Sequence, residues 1–330
     1  MGVRLNILRG VGRSFWFAVL IILCVELALH SEFVMQRYRS VFAVGRAMDK
    51  LHYVESHPPG VLFMGNSRVD NGIDPRVVSL ALGQPVTYSF NLGLPGANLL
   101  IWHGMVVRLE RQGLLGAKGV HTVVLGLDES ALQEDNSLGY VGFFADRAAL
   151  WASGRYQDWL GSYLRLWSYS ANLRQLREPE KVLRFIEASK QQLDPVGGAA
   201  AAHFGYRAGF GAAQNQAQTV RQEDAAQQPP APAVVDFLWR TVDLLQSQGV
   251  RVFVTIPPLR DRDSAFFKPG TTAAPYRTLL THLQQRGVTL LPAPTGYVPA
   301  DFINAGHLNN AGAQRYSADV GRQLAALGVR

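Results

Sequence analysis

The sequence predicts an α/β fold, a three-layer sandwich around a central, mostly parallel sheet, with a helical insertion and an N-terminal transmembrane helix. Three observations carry that expectation. Five short runs rich in Val, Ile and Leu show little alternation, as strands covered on both faces do. Helical stretches separate most of these runs, which is the rhythm of a parallel sheet. One unbroken apolar run near the start follows a set of arginines.

The first strand is VLFMG (Val61 to Gly65), bounded by Pro58-Pro59-Gly60 and by a Gly-Asn turn. VTYSFNLG (Val86 to Gly93) is the second, and HTVVLGL (His121 to Leu127) the third. VRVFVTIPP (Val250 to Pro258) is the fourth, stopped by its prolines, and VTLLPAP (Val288 to Pro294) the fifth. Helices are expected over Pro75 to Leu82, Leu99 to Gln112, Val234 to Gln248, Tyr276 to Arg286 and Ala311 to Leu327.

The middle of the chain differs. Asp146 to Leu193 is aromatic and amphipathic, with Trp151, Trp159, Trp167, Tyr163 and Tyr169, and reads as a helical insertion or lid whose aromatics form a small core. Gly197 to Pro232 is rich in Ala, Gln and Pro without period and reads as a loop with mobile parts. Three regions follow: residues 1–35, a basic tip and membrane anchor; residues 36–57, a polar helical stalk; and residues 58–330, one domain with insertion and loop at about 146–233.

Composition narrows the function. With 48% hydrophobic and 17% charged residues the chain has the means to fold, which excludes disorder. Cys24 is the single cysteine, so no intramolecular disulfide and no thiolate-built zinc site can form. The net charge of +7 is scattered, without the basic stripe that marks nucleic-acid binding. Weak attraction to anionic lipid or acidic polysaccharide suits it better. His52 and His57 flank Glu55 with no further ligand nearby, so no metal is expected; no cofactor is expected either, since neither a G-x-G-x-x-G nor a Walker loop occurs.

Phe15 to Val25 is unbroken apolar sequence, and Leu27 to Leu29 continue it after Glu26. Between Arg13 and Arg37 there is room for a helix of about 20 residues, enough to span a bilayer. Arg4, Arg9 and Arg13 precede it, which puts the N-terminus in the cytoplasm and the rest outside. A cleaved signal peptide and a buried core helix are the alternatives, although no A-x-A site follows Leu29. Glu26 would be costly at the bilayer centre but lies near the outer end.

Two short motifs carry chemistry. Gly65-Asn66-Ser67-Arg68 sits just past the first strand, where open α/β sheets bind ligands, although Ser67 read alone is equally a helix cap. Asn304-Ala305-Gly306-His307-Leu308-Asn309 sits just before the final helix. Both loops belong to one edge of the sheet, so His307 can reach Ser67. Serine is a poor nucleophile at neutral pH and needs a base, and the base needs a group that holds its tautomer. A side chain three residues before the histidine can do that across a turn.

Together these motifs resemble the SGNH (GDSL-type) hydrolase superfamily, from about Val61 to Leu327 outside the insertion. Gly65 to Arg68 looks like the first block, with Ser67 on the nucleophile. Asn91-Leu92-Gly93-Leu94-Pro95-Gly96 looks like the second, with Gly96 on the oxyanion-hole glycine. Asn304 to His307 looks like the last, with His307 on the base. The resemblance implies a flavodoxin-like sandwich and acyl chemistry through Ser67.

Two positions depart from the pattern. Asn304 stands where the last block carries Asp, and Asp128 (in Gly126-Leu127-Asp128-Glu129) stands where the third block carries an Asn donor. Asn304 can orient His307 through its carbonyl but lends the imidazolium no full charge. Asp301, six residues before His307, is a second candidate orienter with awkward reach. An ionised Asp128 would repel an oxyanion, so it points away, pairs with an arginine such as Arg68, or is protonated. Asn98 could supply the missing donor beside the Gly96 and Ser67 N–H groups.

Within the superfamily the chain looks like the envelope proteins with one N-terminal anchor that assist O-acylation of surface polymers, as in alginate O-acetylation and teichoic-acid D-alanylation. That likeness implies an extracytoplasmic O-acyltransferase or esterase acting on cell-envelope polysaccharide, with an acyl donor and a membrane-bound O-acyltransferase as partners. The rival expectation is a scaffold in which Asn304 and Asp128 mark a decayed site. A small-ester hydrolase is a third.

Overall fold

The structure is a computed structural model and describes residues 12–31, 43–134, 140–167, 203–207, 228–260 and 264–330. In chain order the elements are α1 (Arg13–His30), α2 (Ala43–Ser56), β1 (Val61–Gly65), α3 (Ser67–Gly72), α4 (Pro75–Ala81), β2 (Ser89–Asn91), α5 (Leu99–Arg111), β3 (Thr122–Gly126), α6 (Val141–Phe144), α7 (Arg147–Ala152), α8 (Tyr156–Gly161), α9 (Pro232–Ser247), β4 (Arg251–Thr255), α10 (Ala274–Gln285), β5 (Thr289–Leu290) and α11 (Asn310–Ala326). Tyr169, most of the loop over 197–232, Arg4, Arg9 and Arg37 lie outside the described residues.

The fold is α/β. Its five strands form one sheet in the order β2-β1-β3-β4-β5, and every pair is parallel. This is the order of doubly wound flavodoxin-type sheets, in which the chain leaves β1 to one side for β2 and crosses to the other for β3. The crevice over the carboxyl ends of β1 and β3 is therefore the topological switch point.

Successive strand residues point to opposite faces and feed two separate cores. Leu62, Met64, Val123, Leu125, Val252 and Val254 pack with α2, α5 and α9 on one side. Val61, Phe63, Val124 and Phe253 pack with α3, α4 and α11 on the other. Both faces are thus apolar, which explains the unalternating runs in the sequence.

Register at the strand ends fixes the first turn after β1. Gly65 and Gly126 are direct neighbours across β1 and β3. A Cβ at either would lie 2.1 Å from Val69 Cγ2. The two glycines form a notch that lets Val69, and with it α3, settle directly onto the ends of both strands.

Three expectations are corrected. Residues 47–56 are not a polar stalk: Ala47, Leu51 and Val54 are fully buried in the main core, and Lys50 is buried with them. Their i, i+4, i+7 spacing puts them on one helix face. Nor do the aromatics of the insertion's described part form a buried core, since Trp151 is 54% and Trp167 67% exposed and only Trp159 among its tryptophans packs against the main core. Phe144 does anchor it, its carbonyl seated where a Cβ on Gly104 of α5 would stand. Finally, residues 203–207 belong to the sheet edge despite their patternless surroundings. The Asn91 N–H donates to Phe204 O (2.9 Å) and the Arg207 N–H to Asp70 O (3.0 Å).

Helix α1 is long and apolar enough to cross a membrane, at 18 residues with none buried in the protein. Glu26 near its end is not left bare. Its carboxylate accepts the N–H groups of Arg165 (2.6 Å) and Leu166 (2.9 Å), with His30 Nε2 3.0 Å away.

Candidate active site

Ser67 is the first residue of α3, and the helix is capped by Asn66, so the alternative reading of Ser67 as the cap does not hold. Asn66 Oδ1 accepts the Arg68 N–H at 2.9 Å. The cap leaves the Ser67 hydroxyl free for other partners at the mouth of the switch point.

His307 comes from the far end of the chain. The loop ahead of α11 is closed by a bridge between Phe302 and Leu308 and by the Ile303 N–H donating to His307 O (3.0 Å). Asn309 then caps α11 by accepting the Gly312 N–H (2.9 Å). This pins the loop tip over β1, and Ser67 Oγ lies 2.8 Å from His307 Nε2.

The direction of that bond follows from Asn304. Its Oδ1 accepts the backbone N–H groups of Gly306 (3.0 Å) and His307 (2.9 Å), so the atom there is the carbonyl oxygen. The same oxygen lies 3.0 Å from His307 Nδ1. An acceptor at that place requires Nδ1 to carry the proton. Nε2 then has its lone pair toward Ser67, and the serine hydroxyl donates.

Burial and the nearby Arg68 guanidinium push the His307 imidazole down to about 4, against smaller opposing effects of Asp128 and Asp70. The ring is neutral at pH 7 and able to accept a proton. Asp301, by contrast, has its carboxylate on the Val298 N–H (3.0 Å) and Arg315 (3.1 Å). The orienting position belongs to Asn304.

Asp128 pairs with Arg68 and is ionised. Burial acts to raise its pKa, but Arg68, Ser130, the Ala131 N–H and Asn66 together hold it below the usual value. Its Oδ1 accepts from Ser130 Oγ (2.7 Å) and the Ala131 N–H (2.9 Å). Its Oδ2 accepts from Asn66 Nδ2 (2.5 Å), with Arg68 Nε at 3.4 Å. Asp128 thus steadies Asn66, and Asn66 caps the helix that carries Ser67.

Arg68 continues the network. It donates to Glu129 (3.2 Å), whose other oxygen accepts Ser264 Oγ (2.9 Å) and the Ala265 N–H (2.7 Å). Its guanidinium also lies against Gly306, where a Cβ would come within 3.2 Å of Nε. The arginine therefore braces the histidine loop as well as the serine helix.

Among the described residues the three expected oxyanion donors make no hydrogen bond. Gly96 has φ of +71° in the turn Leu94-Pro95-Gly96-Ala97, closed by Ala97 N–H to Leu94 O (3.1 Å). Proline second and glycine third is the type II arrangement. The Leu94 N–H donates to Gly65 O (2.9 Å), which sets this turn beside the start of α3. Among the described residues the Ser67 and Gly96 N–H groups meet no acceptor. Asn98 is buried, makes no side-chain cap bond, and its Oδ1 has no partner.

Sequence reasoning missed Lys50. Its ammonium donates to Asp70 Oδ1 (2.7 Å) and to Gly93 O (2.5 Å). One cation thus ties α2 to the serine helix and to the loop leading to Gly96. Asn91 adds a second tie, donating to Val69 O and Ile73 O (both 2.7 Å) and accepting the Gly93 N–H (2.8 Å). The amphipathic spacing of Ala47, Leu51 and Val54 was the available signal for α2; nothing marked Lys50 itself.

No protein-family model and no curated protein matches the chain.

Proposed function

We propose that the chain is a serine-dependent acyltransferase or esterase of the SGNH type, anchored in the cytoplasmic membrane by α1, with its domain outside the cytoplasm and acting on cell-envelope polysaccharide. The observation that carries the chemistry is the relay Ser67 Oγ–His307 Nε2, His307 Nδ1–Asn304 Oδ1, at 2.8 and 3.0 Å. The polymer, the acyl donor and a membrane-bound O-acyltransferase partner come from the likeness of the motifs. The anchor comes from the length and apolar character of α1 and the arginines ahead of it.

The steps follow from the proton positions. Ser67 Oγ attacks the acyl carbonyl carbon while its proton passes to His307 Nε2. The carbonyl oxygen becomes an oxyanion facing the N–H groups of Ser67 and Gly96 and the amide of Asn98. The C–O bond to the leaving alcohol breaks, and that oxygen takes the proton from His307. A sugar hydroxyl, or water, then gives its proton to His307 and attacks the acyl-serine. Ser67 leaves and recovers the proton.

One observation favours the scaffold reading. A neutral Asn304 lends no charge to the imidazolium, and the site already disfavours that cation. Asp→Asn in a serine triad costs about 10⁴ in kcat, there with the imidazole in the wrong tautomer, which Asn304 Oδ1 avoids here. Intact-mass spectrometry after an activated phosphonate separates the two. A single adduct on the full chain that disappears in Ser67→Ala supports the enzyme. A folded chain that takes no adduct supports the scaffold.

A further inference from the structure

The outer end of α1 is bonded to the insertion. Besides the two N–H groups on Glu26, Arg165 Nη1 donates to Leu29 O (2.8 Å), and His30 Nε2 lies 3.2 Å from Tyr163 O. The segment from Tyr163 to Leu166 is therefore held at the level where an anchored α1 would leave the hydrocarbon.

At that level the protein exposes what a soluble surface avoids. Trp151, Tyr156, Leu160, Tyr163, Leu164 and Trp167 are each between 42 and 67% exposed. They are ordered, not splayed: Trp151 packs edge-on against Tyr156 (5.0 Å) and Trp159 (4.9 Å), and Trp159 against Tyr163 (5.1 Å). Tryptophan and tyrosine with an apolar body and a polar edge are the side chains of the membrane–water interface. Contiguous exposed apolar surface of this kind marks a contact with a partner or a membrane.

Charge stands beside it. Arg111, Arg147 and Arg165 line a cavity of about 690 Å³ that also meets Trp151 and Trp159. Among the described residues Asp146 is the one carboxylate in its wall, and it is already bound to Arg111 (2.7 Å) and to the Ala149 N–H (2.8 Å). Arg147 lies over the Tyr163 ring (4.1 Å) and donates to Ser162 O (2.9 Å). Arginine held on an aromatic face beside an apolar patch suits a phosphate above acyl chains.

We propose that α7, α8 and the segment to Trp167 form a second membrane contact in the outer-leaflet interface, with the arginine-lined cavity holding the phosphate of an anionic phospholipid. The inference rests on the reading of α1 as a membrane anchor. The bonds to Leu29, Glu26 and His30 favour lipid over a protein partner, because they fix the patch in register with the end of α1. Two points of attachment would stop the domain rotating about a single helix and hold Ser67 at one height and azimuth above the bilayer.

The test uses the full chain in nanodiscs, with Cys24→Ser and an environment-sensitive fluorophore on one introduced cysteine. Leu160→Cys reports the patch, Leu20→Cys the centre of α1, and Leu80→Cys an exposed leucine on α4 (67% exposed). The expected result is a blue-shifted Leu160→Cys label quenched by lipids spin-labelled near the headgroup, with neither effect at Leu80→Cys. Quenching should be stronger with phosphatidylglycerol than with phosphatidylcholine alone, and Arg147→Gln should remove that difference. An unquenched Leu160→Cys label beside a Leu20→Cys label quenched by deep spin labels overturns the inference and leaves the anchor standing. Loss of quenching at both sites overturns the anchor reading as well. A blue shift without lipid quenching that grows with the number of chains per disc assigns the patch to a protein contact, and equal quenching in both lipids refutes the anionic headgroup.

Discussion

Lys50 Nζ lies 2.7 Å from Asp70 Oδ1, and both side chains are fully enclosed. The pair joins α2 to α3, the helix that begins with Ser67. Removing one partner of a buried ion pair leaves the other charge in a medium that cannot solvate it, a loss of about 3–5 kcal/mol. Lys50→Met should lower stability by that order in chemical denaturation. Lys50→Met combined with Asp70→Asn should recover part of it, and equal losses in the single and double variants would show that the charge pairing is immaterial.

Asn304→Asp should keep the geometry of the relay. One carboxylate oxygen replaces Oδ1 and still accepts from Gly306, His307 and the imidazole. The added charge favours imidazolium, so acylation by an activated ester should be retained or raised. Asn304→Ala removes all three bonds and should reduce acylation by at least about 10², the lower end of the range for a positioned proton acceptor. A large loss in Asn304→Asp would show that the site requires a neutral partner.

The acid limb of activity should lie near 4, not near 6.5, because burial and Arg68 hold His307 at about 4. Protonation blocks the acceptor, so acylation falls as the pH drops through that value. Asn304→Asp should move the limb upward. A limb at the ordinary histidine value in the wild type would contradict the buried, neutral ring.

Stability should follow the same window. His103, desolvated in its pocket with a smaller raising effect of Asp146, is also lowered to about 4. Below 6.5 the unfolded chain binds protons at both histidines while the folded chain does not. Unfolding is therefore favoured as the pH falls from 6.5 to 4, and the loss is complete below about 4. His103→Gln should flatten the decline in denaturation measured across that interval.

Asp128→Asn should weaken the fold more than it alters acceptor choice. An amide Nδ2 in place of Oδ2 would face two donors, Asn66 Nδ2 and Arg68 Nε. An unmet buried donor costs about 1–3 kcal/mol. A drop in melting temperature with retained phosphonate labelling is expected. Unchanged stability with lost labelling would give Asp128 a direct chemical role instead.

Much of this arrangement was legible in the sequence for physical reasons. Strands buried on both faces have to be apolar throughout, so VLFMG and HTVVLGL stand out. β2 was read too long because Pro85 turns the chain first: the Tyr88 N–H donates to Pro85 O (2.9 Å). Ser67, His307 and Asn304 were legible because a relay needs those groups at the ends of particular strands. Glu129 with Ser264, 135 residues apart, was not, since a long-range bond leaves no local pattern. The insertion misled because exposed and buried aromatic clusters have the same spacing.

The serine and its histidine are separated by 240 residues, and so are the elements beneath them, with Asp74 N–H donating to Ser317 Oγ across 243. Contacts so remote in sequence are slow to close. During synthesis Ser67 emerges long before His307. Until α11 docks against α3 and α4, Ser67 is an ordinary alcohol beside a growing chain. Under the proposed function, reactivity therefore arrives only when the two ends of the domain meet, and a nascent or truncated polypeptide carries no activated serine.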